Sequence, residues 1–336
     1  MPPVLFTRSA RLDLTDYGIL IPLKGSRPDR IREALTARFG PPEEGGWGRA
    51  VDAQRLSPED LRRVHTPRYV ELLASADPAP AIEVCYELID AEGRPHRYAP
   101  ETATRPLAQL VERHLVEASG TLSAMEEALA AGFCHFLGGG MHHALADGGR
   151  GFCLIHDVLI GLRRLQAEGR VRRAWVVDTD CHKGDGTAAL TLGDPTVSTL
   201  SIHMAAGWPL DSAPFDGEGH LEPWFWPSTV DRGVPRGGEA HYLPLLASGL
   251  DELERVSPLP DLAVVVGGSD PFEGDVLPSA DGLKLSLDAM FERDRLVYIF
   301  LAERGIPQAW VLAGGYGDEV WRVHARFLAW VLGGEG

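Results

Sequence analysis

Residues 174–186 read AWVVDTDCHKGDG. The apolar run 174–177 ends abruptly on an acidic turn punctuated by glycine. A run this short, bounded by charge, suits a strand buried on both faces of a parallel sheet. Comparable runs occur at 134–137, 197–202, 262–266 and 309–312. Helical patterns lie between or beside them, at 107–131, 157–168, 241–255, 283–304 and 318–331. In the second of these, Val158, Leu162 and Leu165 fall on one helical face. Strand–helix alternation predicts an α/β layer fold, with a central, mostly parallel sheet and helices on both faces. No repeat or Gly/Ser linker divides the chain, and its length admits one large α/β domain or two ordinary ones.

The residues just beyond each strand point to a site. The sequence runs into GGGMHH at 138–143, DTDCHKGDG at 178–186, GGSD at 267–270 and AGGY at 313–316. In parallel sheets the ligand crevice lies outside the carboxyl ends of the strands, so these segments are expected to converge. Asp180 and His182, two apart on an extended segment, point the same way. Their oxygen and nitrogen donors suit Zn²⁺ or Fe²⁺, with Asp270 as a candidate third ligand. The DxDxH spacing alone also arises in solvated turns. His142 and His143 follow three glycines, which allow close backbone approach to a ligand. Asp178 and Asp185 are candidate partners fixing their tautomers. Tyr316 ordinarily reads as packing; alternatively its hydroxyl donates to a carbonyl oxygen as charge develops there.

Composition narrows the function. Lys and Arg number 32 against 48 Asp and Glu, a net charge of −16. Such acidity disfavours a phosphate-tracking nucleic-acid binder and leaves basic or neutral partners open. No apolar run approaches the ~20 residues of a membrane span. The N-terminal MPPVLFTRSARLDLTDYG lacks the pattern of a signal peptide, so the cytoplasm is expected. Cys85, Cys134, Cys153 and Cys181 form no CxxC pair, which argues against a disulfide framework or a cysteine-built zinc site. Two stretches read as loops, 89–106 and 205–238. The second is long for a passive connector and carries Trp208, Trp224, Phe225 and Trp226. The last three are expected to pack in the core, with roofing of a pocket as the alternative.

The segments GGGMHHALADGGRGFCLIHD, VVDTDCHKGDGTA, LSIH, VVGGSDPFEGD and VLAGGY resemble, in order, the motifs of the zinc-dependent histone deacetylase family. That family includes bacterial histone deacetylase-like amidohydrolases and acetoin-utilisation proteins. RVHTPRYVELL at 63–73 also looks like a segment near the family's N-terminus. The resemblance implies an arginase/deacetylase-like fold, a single domain over residues 1–336, and one Zn²⁺ per chain on Asp180, His182 and Asp270. It implies His142 and His143 as the proton-handling pair, oriented by Asp178 and Asp185 respectively, and Tyr316 as the group polarising the scissile carbonyl. Gly151 would offer its carbonyl to the substrate amide, and Phe152 would line one wall of an acyl-lysine tunnel. A structural K⁺, held mainly by Asp178 and by backbone oxygens near Asp180, His182, Ser201 and Ile202, is also implied.

The sequence departs from the family pattern at three places. Lys183 stands where a second histidine or a glutamine is usual, and His156 where asparagine is common. The usual FPG segment is replaced by MAAGWPLDSAPFDGEG, which puts Trp208 roughly where the second tunnel aromatic belongs. Leu277 looks like the position at which polyamine deacetylases of the family carry a glutamate. An apolar residue there cannot pair a buried ammonium. The expected activity is therefore hydrolysis of ε-N-acyl-lysine in a peptide or protein. An acetylpolyamine or other small acylated amine is the alternative substrate, and a catalytically silent acyl-lysine-binding scaffold the alternative of another class. A binuclear Mn²⁺ hydrolase of the arginase type would need more ligands. Oligomeric state is left open.

Overall fold

The computed structural model describes residues 3–8, 13–51 and 53–334. The segment expected to lack a signal peptide lies partly outside these, at residues 1–2 and 9–12. Among the described residues the strands are β1 (Val4–Phe6), β2 (Gly48–Ala50), β3 (Phe133–Phe136), β4 (Ala174–Asp178), β5 (Val197–Met204), β6 (Val230–Val234), β7 (Leu262–Val266) and β8 (Gln308–Val311). They form one sheet in the order β2-β1-β3-β8-β7-β4-β5-β6. Every pairing is parallel. The helices are α1 (Arg27–Phe39), α2 (Pro58–Arg62), α3 (Pro67–Leu73), α4 (Ala79–Cys85), α5 (Gln109–Ala131), α6 (Asp157–Ala167), α7 (Asp185–Thr191), α8 (Tyr242–Val256), α9 (Leu287–Glu303) and α10 (Trp321–Leu332).

The central strands are apolar because helices cover both their faces. Every residue of β4 and β7 is buried, as the uninterrupted runs AWVV and LAVVV require. The edges differ. β6 reads VDRGV, and its middle three residues are partly or fully exposed. An edge strand has one unpaired flank and tolerates charge, so no apolar run marks it in the sequence. It lies inside 205–238, which is therefore not loop throughout. β1 and β2 are only three residues each, too short for a periodic signal.

The strand order positions the site. β3, β8, β7 and β4 are consecutive neighbours in the middle of the sheet, although they span residues 133–311. Because the strands are parallel, GGGMHH, AGGY, GGSD and DTDCH all emerge at one edge of the sheet.

Candidate metal and catalytic site

Donor atoms of Asp180, His182 and Asp270 lie within 4.8 Å of one another, and all three residues are buried. Backbone amides hold the carboxylates in place. Asp180 Oδ2 accepts from Gly314 N at 2.9 Å and Oδ1 from His182 N at 3.0 Å. Asp270 Oδ1 accepts from Cys181 N at 3.0 Å, which leaves Oδ2 facing His182 Nδ1 at 3.0 Å. Gly314 is demanded by this crowding. A Cβ there would sit 2.6 Å from both Asp180 Oδ2 and Asp270 Oδ2.

Two buried carboxylates facing one point repel each other. Burial and the neighbouring Asp180 charge push Asp270 up to about 6. A divalent cation shared by the trio removes that penalty, and two carboxylate oxygens with one imidazole nitrogen suit zinc or iron. The residues present therefore fit such an ion.

His142 and His143 stand beside the trio with their rings 3.9 Å apart. His142 Nδ1 meets Asp178 Oδ2 at 2.6 Å, and His143 Nδ1 meets Asp185 Oδ1 at 2.5 Å. Each carboxylate holds its imidazole by Nδ1 and leaves Nε2 for chemistry. The two environments pull apart. Burial opposes a charge on His142, but Asp178 and Asp180 outweigh it and push the group up to about 9. Burial, reinforced by the His142 charge, pushes His143 down to about 4. His142, His143 and Asp180 also have donor atoms within 4.8 Å of one another. Both imidazoles already give Nδ1 to carboxylates, so this second group is less complete as a metal site.

Tyr316 is buried and lines a cavity of about 290 Å³ together with His143, His182, Phe152, Trp208 and Leu277. Burial, then the Asp270 and Asp180 charges, hold its phenol protonated far above its ordinary value. Its backbone N–H donates to Asp275 Oδ2 at 2.6 Å. Phe152 stacks on Tyr86 at 5.9 Å and meets Tyr316 edge-on at 6.1 Å. Opposite, Trp208 lies edge-on to His143 at 4.6 Å. Gly151 has φ +55, and a Cβ there would come within 2.3 Å of Trp208. Glu87 and Asp211 line the same cavity. A second cavity of about 390 Å³, lined in part by Arg27, Glu117 and His114, also reaches Asp180, His182, Asp270 and Tyr316.

His142, His143, Gly151, Phe152, Asp180, His182, Asp270 and Tyr316 border one region, with Trp208 and Leu277 at its second cavity; Asp178 and Asp185 reach it through the two histidines. Other expectations need revising. Trp224, Phe225 and Trp226 are only partly buried and do not join the core. They sit on a segment that leans against the site, and aromatic content alone could not separate that from core packing. Lys183 is buried and bonds Asp231 Oδ2 at 3.2 Å on the edge strand β6. His156 caps α6, accepting from Leu159 N at 3.3 Å, and its Nε2 lies 3.0 Å from Thr187 Oγ1 on α7, the helix that Asp185 begins.

Two buried arginines were missed altogether. Arg27 donates to the carbonyls of Ala313 and Gly314, each at 2.7 Å. Arg293 donates to Thr179 O at 3.1 Å and Gly268 O at 2.6 Å. Both clamp strand ends that carry site residues. In sequence they are helix charges, which ordinarily face solvent.

A doubly covered parallel sheet whose central strand ends bring two carboxylates and an imidazole beside two carboxylate-held histidines defines a class, and the comparisons agree with it. The histone deacetylase domain family matches residues 22–332, and the chain belongs to that family. It is 34% identical over 63% of its length to an uncharacterized protein of Picosynechococcus, covering 66% of that protein. It is 28% identical to the acetoin utilization protein AcuC of Bacillus subtilis, over 84% of this chain and 70% of AcuC. It is 27% identical to histone deacetylase 2 of Arabidopsis thaliana, over 92% of this chain and 73% of that one. The fold matches a crystal structure of the HDA15 HD domain with a TM-score of 0.67 at 18% identity, covering all of this chain and 90% of that one.

Proposed function

We propose that residues 1–336 work as one catalytic domain that hydrolyses the amide of an ε-N-acyl-lysine, with one zinc ion per chain. The observation that carries this reading is the trio Asp180, His182 and Asp270 bordering the cavity that also holds His143, Phe152 and Tyr316. A slot walled by Phe152 and Trp208 suits an alkyl chain ending in an amide.

A divalent metal on the trio would supply Lewis-acid polarisation of the attacking water and the acyl carbonyl. His143, neutral above about 4 and held by Asp185, takes the water's proton at Nε2 and returns it to the departing amine. His142, kept cationic by Asp178, stabilises negative charge building nearby. The Tyr316 hydroxyl donates to the developing oxyanion. A structural K⁺ near Asp178 belongs to the same proposal. It is supported by the register that pairs Asp178 with Ser201 across β4 and β5. The cytoplasm is the proposed compartment, supported by four buried cysteines, none in a disulfide. No described helix is long and apolar enough to cross a membrane.

Tyr316→Phe should lower kcat by about 100-fold or more, the usual loss for one oxyanion donor, while metal content stays at the wild-type level. Unchanged turnover would remove Tyr316 from the mechanism. The acid limb of the kcat/KM profile should lie below the ordinary histidine value of 6.5, because burial holds His143 down. Activity is then lost as falling pH protonates that base. A limb at or above 6.5 on peptide substrate would contradict the assignment.

One observation favours a second substrate. Glu87, Arg97 and Asp211 line the cavity of about 290 Å³; Arg97 pairs Glu87 at 3.3 Å, so Asp211 is the carboxylate that would attract an acylated polyamine despite the apolar Leu277. An acyl-chain series on a lysine peptide, assayed beside acetylputrescine and acetylspermidine with metal measured on the same sample, separates the readings. Preference for the polyamines would overturn the lysine assignment. Two metal ions per chain would point to the His142–His143–Asp180 group as a second site.

A further inference from the structure

Arg150 takes no part in the proposed mechanism, yet it touches three parts of the site. Its Nη1 donates to Asp185 Oδ2 at 2.8 Å, while Asp185 Oδ1 holds His143. Its guanidinium carbon lies 5.2 Å from the centre of the Trp208 ring and 4.2 Å from that of Trp224. Its backbone bonds Cys153 in both directions, N to O at 3.1 Å and O from N at 2.9 Å, which closes the turn presenting Gly151 and Phe152. Trp208 in turn lies edge-on to both His143 and His182. Trp224 donates its indole N–H to Ser212 Oγ at 2.9 Å, so the ring is anchored within its own segment.

Few side chains can do both jobs. A guanidinium donates in its plane and stacks on aromatic faces above and below it. The in-plane N–H reaches a fully buried carboxylate, and the face reaches two indoles from the segment beyond β5. Of the two, Trp208 is the expected tunnel aromatic and Trp224 one of the three whose composition suggests core packing.

We infer that Arg150 is a positioning residue that fixes the aromatic wall of the acyl slot and the carboxylate orienting His143 with one side chain. The inference rests on the proposed function, since it assigns the slot and the base their roles. Seating of the wall and aim of the base are therefore coupled. The carboxylate bond sets turnover, and the stack sets how well the slot holds the acyl chain.

The two contacts can be separated by substitution. Arg150→Ala should lower kcat by about 10- to 100-fold, the loss that removing an outer hydrogen-bond partner causes at metal sites, applied here to the partner of the carboxylate that orients the base. It should also raise KM by about 3- to 10-fold through the lost stack. Arg150→Lys keeps a cation for Asp185 but loses the plane, so it should recover most of kcat and keep the raised KM. Trp224→Ala should raise KM alone. Hydrogen exchange, read without turnover, should show loss of protection across residues 205–226 in Arg150→Ala and Trp224→Ala. Kinetics within about twofold of wild type in Arg150→Ala, or equal kcat losses in the Ala and Lys variants, would overturn the inference. If Arg150→Ala fails to fold, the Lys and Trp224 variants decide it. Wild-type protein inert on every acylated amine, with the exchange changes present, would sink the proposed function and leave the clasp standing.

Discussion

Asp270→Ala is expected to release the metal and abolish amide hydrolysis together. The substitution removes one of three protein donors and leaves Asp180 and His182, too few to hold a catalytic ion. Losing an outer partner of a ligand commonly costs about 10- to 100-fold in affinity, so losing the ligand itself should exceed that. The change also strips Cys181 N of its acceptor, now 3.0 Å away, and loosens the turn that carries His182. Asp270→Asn separates the two effects, because the amide oxygen can still accept from Cys181 N while binding metal less well. Metal content after gel filtration, with activity measured during zinc titration, checks both variants. Stoichiometric metal in Asp270→Ala would mean that the trio is not the binding site.

His143→Ala should reduce kcat by about 100- to 10,000-fold, the span general acid–base catalysis covers, with metal retained and KM little changed. The contrast with His142 makes the prediction specific. Two rings 3.9 Å apart are driven to opposite protonation states because Asp178 and Asp180 outweigh burial at His142, whereas burial, reinforced by the His142 charge, prevails at His143. Only the imidazole that is neutral at working pH can accept a proton. A dead His142→Ala beside an active His143→Ala would exchange the two roles. Differential scanning of both variants guards against simple unfolding, since each removes the imidazole partner of a buried carboxylate, Asp178 or Asp185.

Part of the site could be read from residue order because strand ends are local. An apolar run leading into Gly and Asp identifies both a strand and the side chain it launches, so Asp180, His182, Asp270 and Tyr316 were legible one by one. Spacing of two along the chain even predicted that Asp180 and His182 would face the same point. The edge strand β6 was not legible because VDRGV has no buried face to enforce an apolar pattern. The aromatics at 224–226 lie outside the core, with Trp224 under Arg150 and Trp226 bonded to Leu221 O, and composition alone does not separate such placements from core packing.

Sequence by itself determined the layered α/β class, the kinds of donor each strand end offers and the family motifs, because each strand, helix and motif is read from residues within a few positions of one another. Tertiary structure alone decided that β3, β8, β7 and β4 lie side by side, which brings together donors from residues 142 to 316. It also decided how closely each carboxylate holds the histidine that the family resemblance pairs with it, and which charges turn inward. Arg27, Arg150 and Arg293 face strand-end carbonyls, a buried carboxylate and two indoles rather than water. Such pairings between distant segments are set by packing, and no local pattern encodes them.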